Sequence, residues 1–181
     1  MSSDGIWLRC MVVASVALVL HEGVFRSLRF QGIRPDVLLC VGIVAAIVGT
    51  PETGAVLAFV ASLLGDLFVN TPFGLSALVA SVVAYGAGSI QRGMGASHRW
   101  SVPVLTAVAS AVGVAAWAGL GTVLGLTGLL RPRLGLVVLV VASCNAVLSI
   151  PAAVVLRRVF APRSGVLPAS LGGSGQRGFL A

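Results

Sequence analysis

The side chains that could do acid–base or metal chemistry are few in this sequence. The 181-residue chain has five acidic residues and two histidines. Asp66 continues a row of small residues, Gly54, Ala58 and Ser62, at intervals of four. A helix would place all four on one face. No second ionisable group is positioned to assist Asp66. We therefore predict that Asp66 does not act as an acid–base catalyst.

Two roles for Asp66 stay open at this point. On a helix face that packs against protein within a membrane, its carboxylate needs a partner. Near the end of a helix, just before Thr71 and Pro72, the same carboxylate would be reached by water.

The other candidate polar groups favour structural roles. Asp36 follows Pro35 at a predicted helix start, where a carboxylate caps free amides and complements the helix dipole. His21 and Glu22 are expected at headgroup level rather than in a proton relay, because no further ionisable residues continue the series. Asn145 is expected to hydrogen-bond across a helix interface.

Signatures of enzymes and of metal sites are absent from the sequence. It contains no GxxxxGK[ST], HExxH or GxSxG motif. Cys10, Cys40 and Cys144 lie in apolar sequence and form no CxxC pair. We therefore predict no catalytic residue, no metal ligand and no cofactor.

Composition indicates an all-α membrane protein. The chain is 57% hydrophobic and 9% charged, with a mean hydropathy of +1.06. Its net charge of +7 comes from arginines near the ends of apolar runs, which favours lipid headgroups over nucleic acid. Six apolar runs predict a polytopic transmembrane bundle: 6–24, 35–49, 54–69, 74–90, 102–126 and 134–156.

These runs define one transmembrane domain over residues 1–160, followed by a Gly-, Ser- and Pro-rich tail over 161–181 that we expect to be disordered. The second and third runs are short, and a tight hairpin is favoured over a pair of re-entrant helices. Six spans put both termini on one side, expected to be the cytoplasm because Arg157 and Arg158 follow the last span. The cluster from Arg26 to Arg34 argues the other way.

Rows of small residues predict the faces on which the helices pack, since such rows let helix backbones approach closely in lipid. The fourth run has Ser76, Ala80, Ala84 and Gly88, and the fifth has Ala107, Ala111, Ala115 and Gly119. Chance in a chain rich in Ala and Gly is the alternative explanation. Trp7, Trp100 and Tyr85 are expected near span ends as interfacial anchors.

Five segments carry a family resemblance over about a third of the chain: RPDVLL at 34–39, GAVLAF at 54–59, LGDL at 64–67, PFGLSAL at 72–78 and YGAG at 85–88. In order and spacing they resemble the rod shape-determining protein MreD family. Its characteristic positions correspond to Pro35, Asp36, Gly54, Phe59, Asp66, Gly74 and Tyr85. With Ala58, Ser62 and Gly88 these form the predicted partner and packing residues. Ala61-Ser62 and Ser76 depart from the family pattern.

The resemblance implies a six-helix protein of the bacterial inner (cytoplasmic) membrane, with a core similar to the substrate-binding subunits of energy-coupling-factor vitamin transporters. It implies a scaffold of the cell-wall elongation complex that binds MreC and, directly or through it, a peptidoglycan polymerase and transpeptidase. The alternative is a substrate-binding subunit of a small-molecule transporter, for which Thr106, Trp117, Thr122 and Asn145 offer few polar groups. A lipid flippase would need more charged residues within its membrane-spanning part than this sequence offers.

Overall fold

The computed structural model describes residues 36–68, 74–94, 100–125 and 134–160, together with Val12, Val13, Ser15, Val16, Val19 and Gly23. Its elements are five helices: α1 (Val37–Val48), α2 (Pro51–Asp66), α3 (Leu75–Gly93), α4 (Ser101–Val123) and α5 (Leu134–Phe160). They correspond to the second to sixth predicted spans. Of the first span only those separate residues are described, and the predicted tail lies outside the described residues.

Three of these helices differ in whether their length and composition would let them cross a membrane. By those criteria α4 and α5 are long and apolar enough to cross a membrane, whereas α1 is a shorter apolar helix of 12 residues. At 1.5 Å per residue α1 is about 18 Å long, well short of the roughly 30 Å hydrocarbon layer.

The short helix α1 lies at the centre of the described bundle. It packs against each of α2, α3, α4 and α5. On one side Leu38, Val44 and Ala45 join a core completed by α2, α4 and α5, and on the other Leu39 and Ile43 join a core completed by α2, α3 and α4. A helix that is apolar all round is typical of a protein core or of a membrane span, and α1 is buried among its four neighbours.

Local capping explains why α1 and α2 are joined by a tight turn. Asp36 caps α1, its side chain accepting a hydrogen bond from the Leu39 N–H at 3.0 Å. Thr50 caps α2 by accepting from the Thr53 N–H at 3.1 Å, and Pro51 occupies the first turn. Proline is tolerated there because that N–H has no partner within the helix, so α2 begins directly after the turn.

Small residues let α2 and α3 approach α1 closely. A Cβ atom added to Gly54 would collide with the backbone of Ala46, and one added to Gly42 would collide with Ala58. A Cβ at Gly88 would lie 2.8 Å from the Ala46 carbonyl oxygen. The small-residue rows of α2 and α3 therefore face the centre of the bundle.

The predicted row of α4 does not face that centre. Ala107 and Ala111 are half-buried, Ala115 is exposed, and a Cβ at Gly119 would meet no atom within 4 Å. The inward face of α4 instead carries Thr106, Ser110 and Gly113. Of these, Ser110 accepts a hydrogen bond from the Asn145 side chain across the interface with α5, a tertiary contact that the spacing of small residues does not encode.

We predict that Gly54→Leu destabilises the protein by at least about 2 kcal/mol, because the new side chain has no room beside Ala46. Thermal unfolding of the detergent-purified protein measures the effect. Gly119→Leu is the matched control, since its side chain enters open space, and its unfolding temperature should stay near that of the parent. Equal unfolding temperatures for the two variants would contradict the packing described here.

Candidate functional site

A cavity of about 280 Å³ lies toward the end of the bundle where α1 begins, α2 ends and α3 begins. All five helices contribute to its wall. Most lining residues are Leu, Val, Ala or Gly, and the remainder are Asp36, Ser62, Asp66, Ser76 and Trp117. The fold thus brings together Asp36, Ser62 and Asp66, three of the predicted site residues, which the sequence did not group around a cavity.

Asp66 is the most enclosed charged group of this cavity. It is the last residue of α2 and is only 5% exposed, so it is both at a helix end and buried. Its Oδ2 accepts a hydrogen bond from the Gly74 N–H at 3.0 Å. Gly74 precedes α3 with a φ of 89°, a left-handed conformation that favours glycine. Asp66 therefore ties the end of α2 to the start of α3.

Asp36 joins the cavity to a polar seam between α4 and α5. The side-chain amide of Asn145 donates to the backbone oxygen of Asp36 at 3.3 Å and to Ser110 Oγ at 2.9 Å. The Cys40 thiol donates to the Asn145 backbone oxygen at 3.5 Å. The predicted role of Asn145 in bonding across a helix interface is confirmed. These bonds fix the start of α1 against α4 and α5.

The charge of the cavity is opposite to that of the chain. Its lining includes two of the five acidic residues of the sequence and, in the part of the chain described, no arginine or histidine. At the opposite end of the bundle Arg92 forms an exposed ion pair with Glu52 at 3.2 Å, and Arg157 and Arg158 lie in the last turns of α5. Among the described residues, arginines therefore lie at one end of the bundle and two aspartates border the cavity toward the other.

Two further predicted site residues face outward. Phe59 of α2 is 42% exposed and Tyr85 of α3 is 50% exposed. The prediction that Tyr85 lies near a span end is wrong: α3 runs from Leu75 to Gly93, which places Tyr85 near its middle. The helix extends past Ile90 through residues that the apolar run did not include. Trp100 does lie at a helix end, preceding α4.

The remaining predicted site residues have other positions. Gly54, Ala58 and Gly88 pack against α1, and Pro35 lies outside the described residues. Trp117, predicted only as one of a few polar groups, and Ser76, predicted to lie in a packing row of small residues, both line the cavity. Their spacing carried no signal, because they lie on different helices that meet only in the folded bundle.

The lining of the cavity is suited to a positively charged group. Among the described residues, no three His, Cys, Asp or Glu side chains come together as a metal-binding group. Carboxylates and hydroxyls accept hydrogen bonds, and an indole face attracts a cation. The arrangement is suited to binding.

A family model described as the rod shape-determining protein MreD matches residues 1–160. No curated protein and no solved structure matches the chain.

We predict that Asp66→Leu lowers the free energy of unfolding by about 1–3 kcal/mol, because it leaves the Gly74 N–H without its acceptor. Asp66→Asn keeps an oxygen at that position and should lose less stability. Thermal unfolding of both variants in the same detergent makes the comparison. If the two variants lose equal stability, the hydrogen bond to Gly74 is not what Asp66 contributes.

Proposed function

Because the chain belongs to the family of the rod shape-determining protein MreD, we propose that it is a non-enzymatic scaffold of the bacterial cell-wall elongation complex. The family is one of membrane proteins that determine cell shape. In this proposal the chain binds an MreC-type membrane-anchored protein. Through that partner, or directly, it positions the polymerase and transpeptidase that build peptidoglycan.

We place the protein in the inner membrane as a multi-pass bundle with its termini in the cytoplasm. The support comes from three described arginines at one end of the bundle. Arg92 ends α3, and Arg157 and Arg158 lie near the end of α5, so these arginines share one end of the bundle. Positive charge beside transmembrane segments favours the cytoplasmic side. The cavity with Asp36 and Asp66 then lies toward the opposite side of the membrane.

The observation that carries the scaffold proposal is the outward face of α3. We call Val82, Tyr85, Gly86 and Ser89 the Tyr85 face, since helical spacing places them within one arc. Val82, Tyr85 and Ser89 are exposed, and a Cβ at Gly86 would meet no atom within 4 Å. Nothing in the described part of the chain packs into this surface beside Tyr85.

The phenol of Tyr85 favours coverage of the Tyr85 face by a partner. Its hydroxyl makes no hydrogen bond with the described residues, although it lies near the middle of α3. A polar group in hydrocarbon is costly without a partner, and tyrosine on lipid-exposed helices prefers the interface. A transmembrane helix of a partner could supply both an acceptor and apolar cover.

The chemistry around Tyr85 suits a helix as the partner. Gly86 and Ser89 are small, so a second helix can approach the α3 backbone closely, which is how helices associate in lipid. Phe59 on the neighbouring α2 adds an exposed aromatic side chain, and aromatic residues are enriched at protein interfaces. The membrane anchor of an MreC-type protein is the occupant that we propose.

In the transporter-subunit alternative, the cavity would be the substrate site. The size of the cavity does not favour this alternative. At about 280 Å³ the cavity lies just below the range of roughly 300–1,000 Å³ typical of sites for drug-sized ligands. The cavity is therefore at the small end of the sizes that would hold a vitamin-sized substrate. The scaffold remains the function that the structure and the family support best.

We predict that Gly86→Leu reduces co-purification of the MreC-type partner by about tenfold or more, because the new side chain keeps the partner helix off α3. Gly119→Leu makes the same change at a glycine that also has open space but lies on α4, and it should leave co-purification unchanged. Both variants should express and unfold like the parent. If only the Gly119→Leu variant fails to co-purify with the partner, the interface lies on α4 and the proposal is contradicted.

We also predict that Tyr85→Phe weakens partner binding several-fold while leaving the unfolding temperature of the isolated protein unchanged. The substitution removes only the hydroxyl, which bonds to nothing among the described residues. Affinity for the partner, measured between detergent-purified components, is the readout. Identical affinity for Tyr85→Phe and the parent would show that the hydroxyl plays no part in the interface.

A further inference from the structure

We propose that the cavity lined by Asp36, Ser62, Asp66, Ser76 and Trp117 binds a primary ammonium group, as carried by an ethanolamine lipid headgroup or by a free amine. This site is separate from the Tyr85 face and does not depend on the scaffold role. Its wall combines negative charge, hydroxyls and an indole inside an otherwise apolar space of about 280 Å³.

Charge is the first argument for a cationic ligand. The chain carries 12 arginines and five acidic residues, and the buried carboxylate of Asp66 lines this cavity. Asp66 is 5% exposed and forms no ion pair with a described residue. An enclosed carboxylate is strongly stabilised by a positive charge within a few ångströms.

Unused hydrogen-bonding capacity is the second argument, and it is independent of charge. Ser62 is 5% exposed and lines the cavity, and its hydroxyl makes no hydrogen bond with the described residues. Polar side chains as buried as this normally have a partner. Ser76 lines the same cavity from the start of α3 and likewise has no such bond.

The mixture of groups selects a primary ammonium over other cations. Its three N–H donors suit the carboxylate and hydroxyl oxygens of Asp66, Ser62 and Ser76, and Trp117 adds to the lining an indole, a group that attracts cations. A quaternary ammonium has no N–H donor and would leave those oxygens unpaired. A metal ion would want more carboxylates than the described cavity supplies.

The location fits a lipid headgroup as one source of the ammonium. The cavity lies toward an end of the bundle, beside the start of α1 and the end of α2. In a membrane protein such ends lie near the headgroup level, and the aliphatic lining can contact the carbons next to the nitrogen. A free amine carries the same group without acyl chains, so experiment must separate the two sources.

The test measures lipid binding to the full-length purified chain by native mass spectrometry. Phosphatidylethanolamine and phosphatidylcholine with identical acyl chains are compared, and free ethanolamine is added as competitor. We expect the parent to bind the ethanolamine lipid about tenfold more tightly than the choline lipid. Displacement by free ethanolamine identifies the ammonium as sufficient, and failure to displace it shows that the lipid is the preferred source.

Three variants tie the binding to the cavity. Asp66→Asn keeps an acceptor for the Gly74 N–H, and Ser76→Ala removes a hydroxyl that bonds to no described residue; each should reduce the preference for the ethanolamine lipid. Glu52→Gln removes an exposed carboxylate at the other end of the bundle and should retain it. Size-exclusion profiles establish that all three fold.

Three results would overturn the proposal. The first is equal affinity of the parent for the two lipids. The second is a preference for the ethanolamine lipid that both Asp66→Asn and Ser76→Ala retain. The third is loss of partner co-purification by Asp66→Asn with lipid binding intact, which would assign the carboxylate to a cationic side chain of a protein partner.

Discussion

The described bundle depends on enclosing one short, wholly apolar helix. α1 has no polar side to turn toward water, and it packs on α2, α3, α4 and α5 at once. Four neighbours can surround a helix of this kind only if some approach closely, and Gly42, Ala46 and Gly54 make that approach possible. In lipid, where burying apolar surface gives helices little reason to associate, close packing is the main attraction.

The shortness of α1 also accounts for the cavity. Its 12 residues span about 18 Å, whereas the 23 residues of α4 and the 27 of α5 span roughly 35 and 40 Å. Within the described ranges no helix continues α1 past Asp36, and the cavity lies at that point. Asp36, which caps that start, and Asp66, which ends α2, both border the space.

Much of the fold could be predicted from the sequence, because apolar length and small-residue spacing are local properties. The turn at Thr50, the cap at Asp36 and the inward rows of α2 and α3 followed from such signals. The meeting of Asp36, Asp66 and Trp117 could not be predicted, since it depends on how three helices converge. Tyr85 and the outward row of α4 were misjudged because helix ends and buried faces are fixed by tertiary packing.

In this account the interior of the bundle stabilises the fold, and the Tyr85 face on its outside binds another protein. Photocrosslinking in cells tests that binding most directly, with a photoreactive amino acid placed singly at Val82 on the Tyr85 face or at Val147, which is exposed on α5. A crosslink to the MreC-type partner from Val82, with none from Val147, is the predicted result. A crosslink from Val147 and none from Val82 would contradict it.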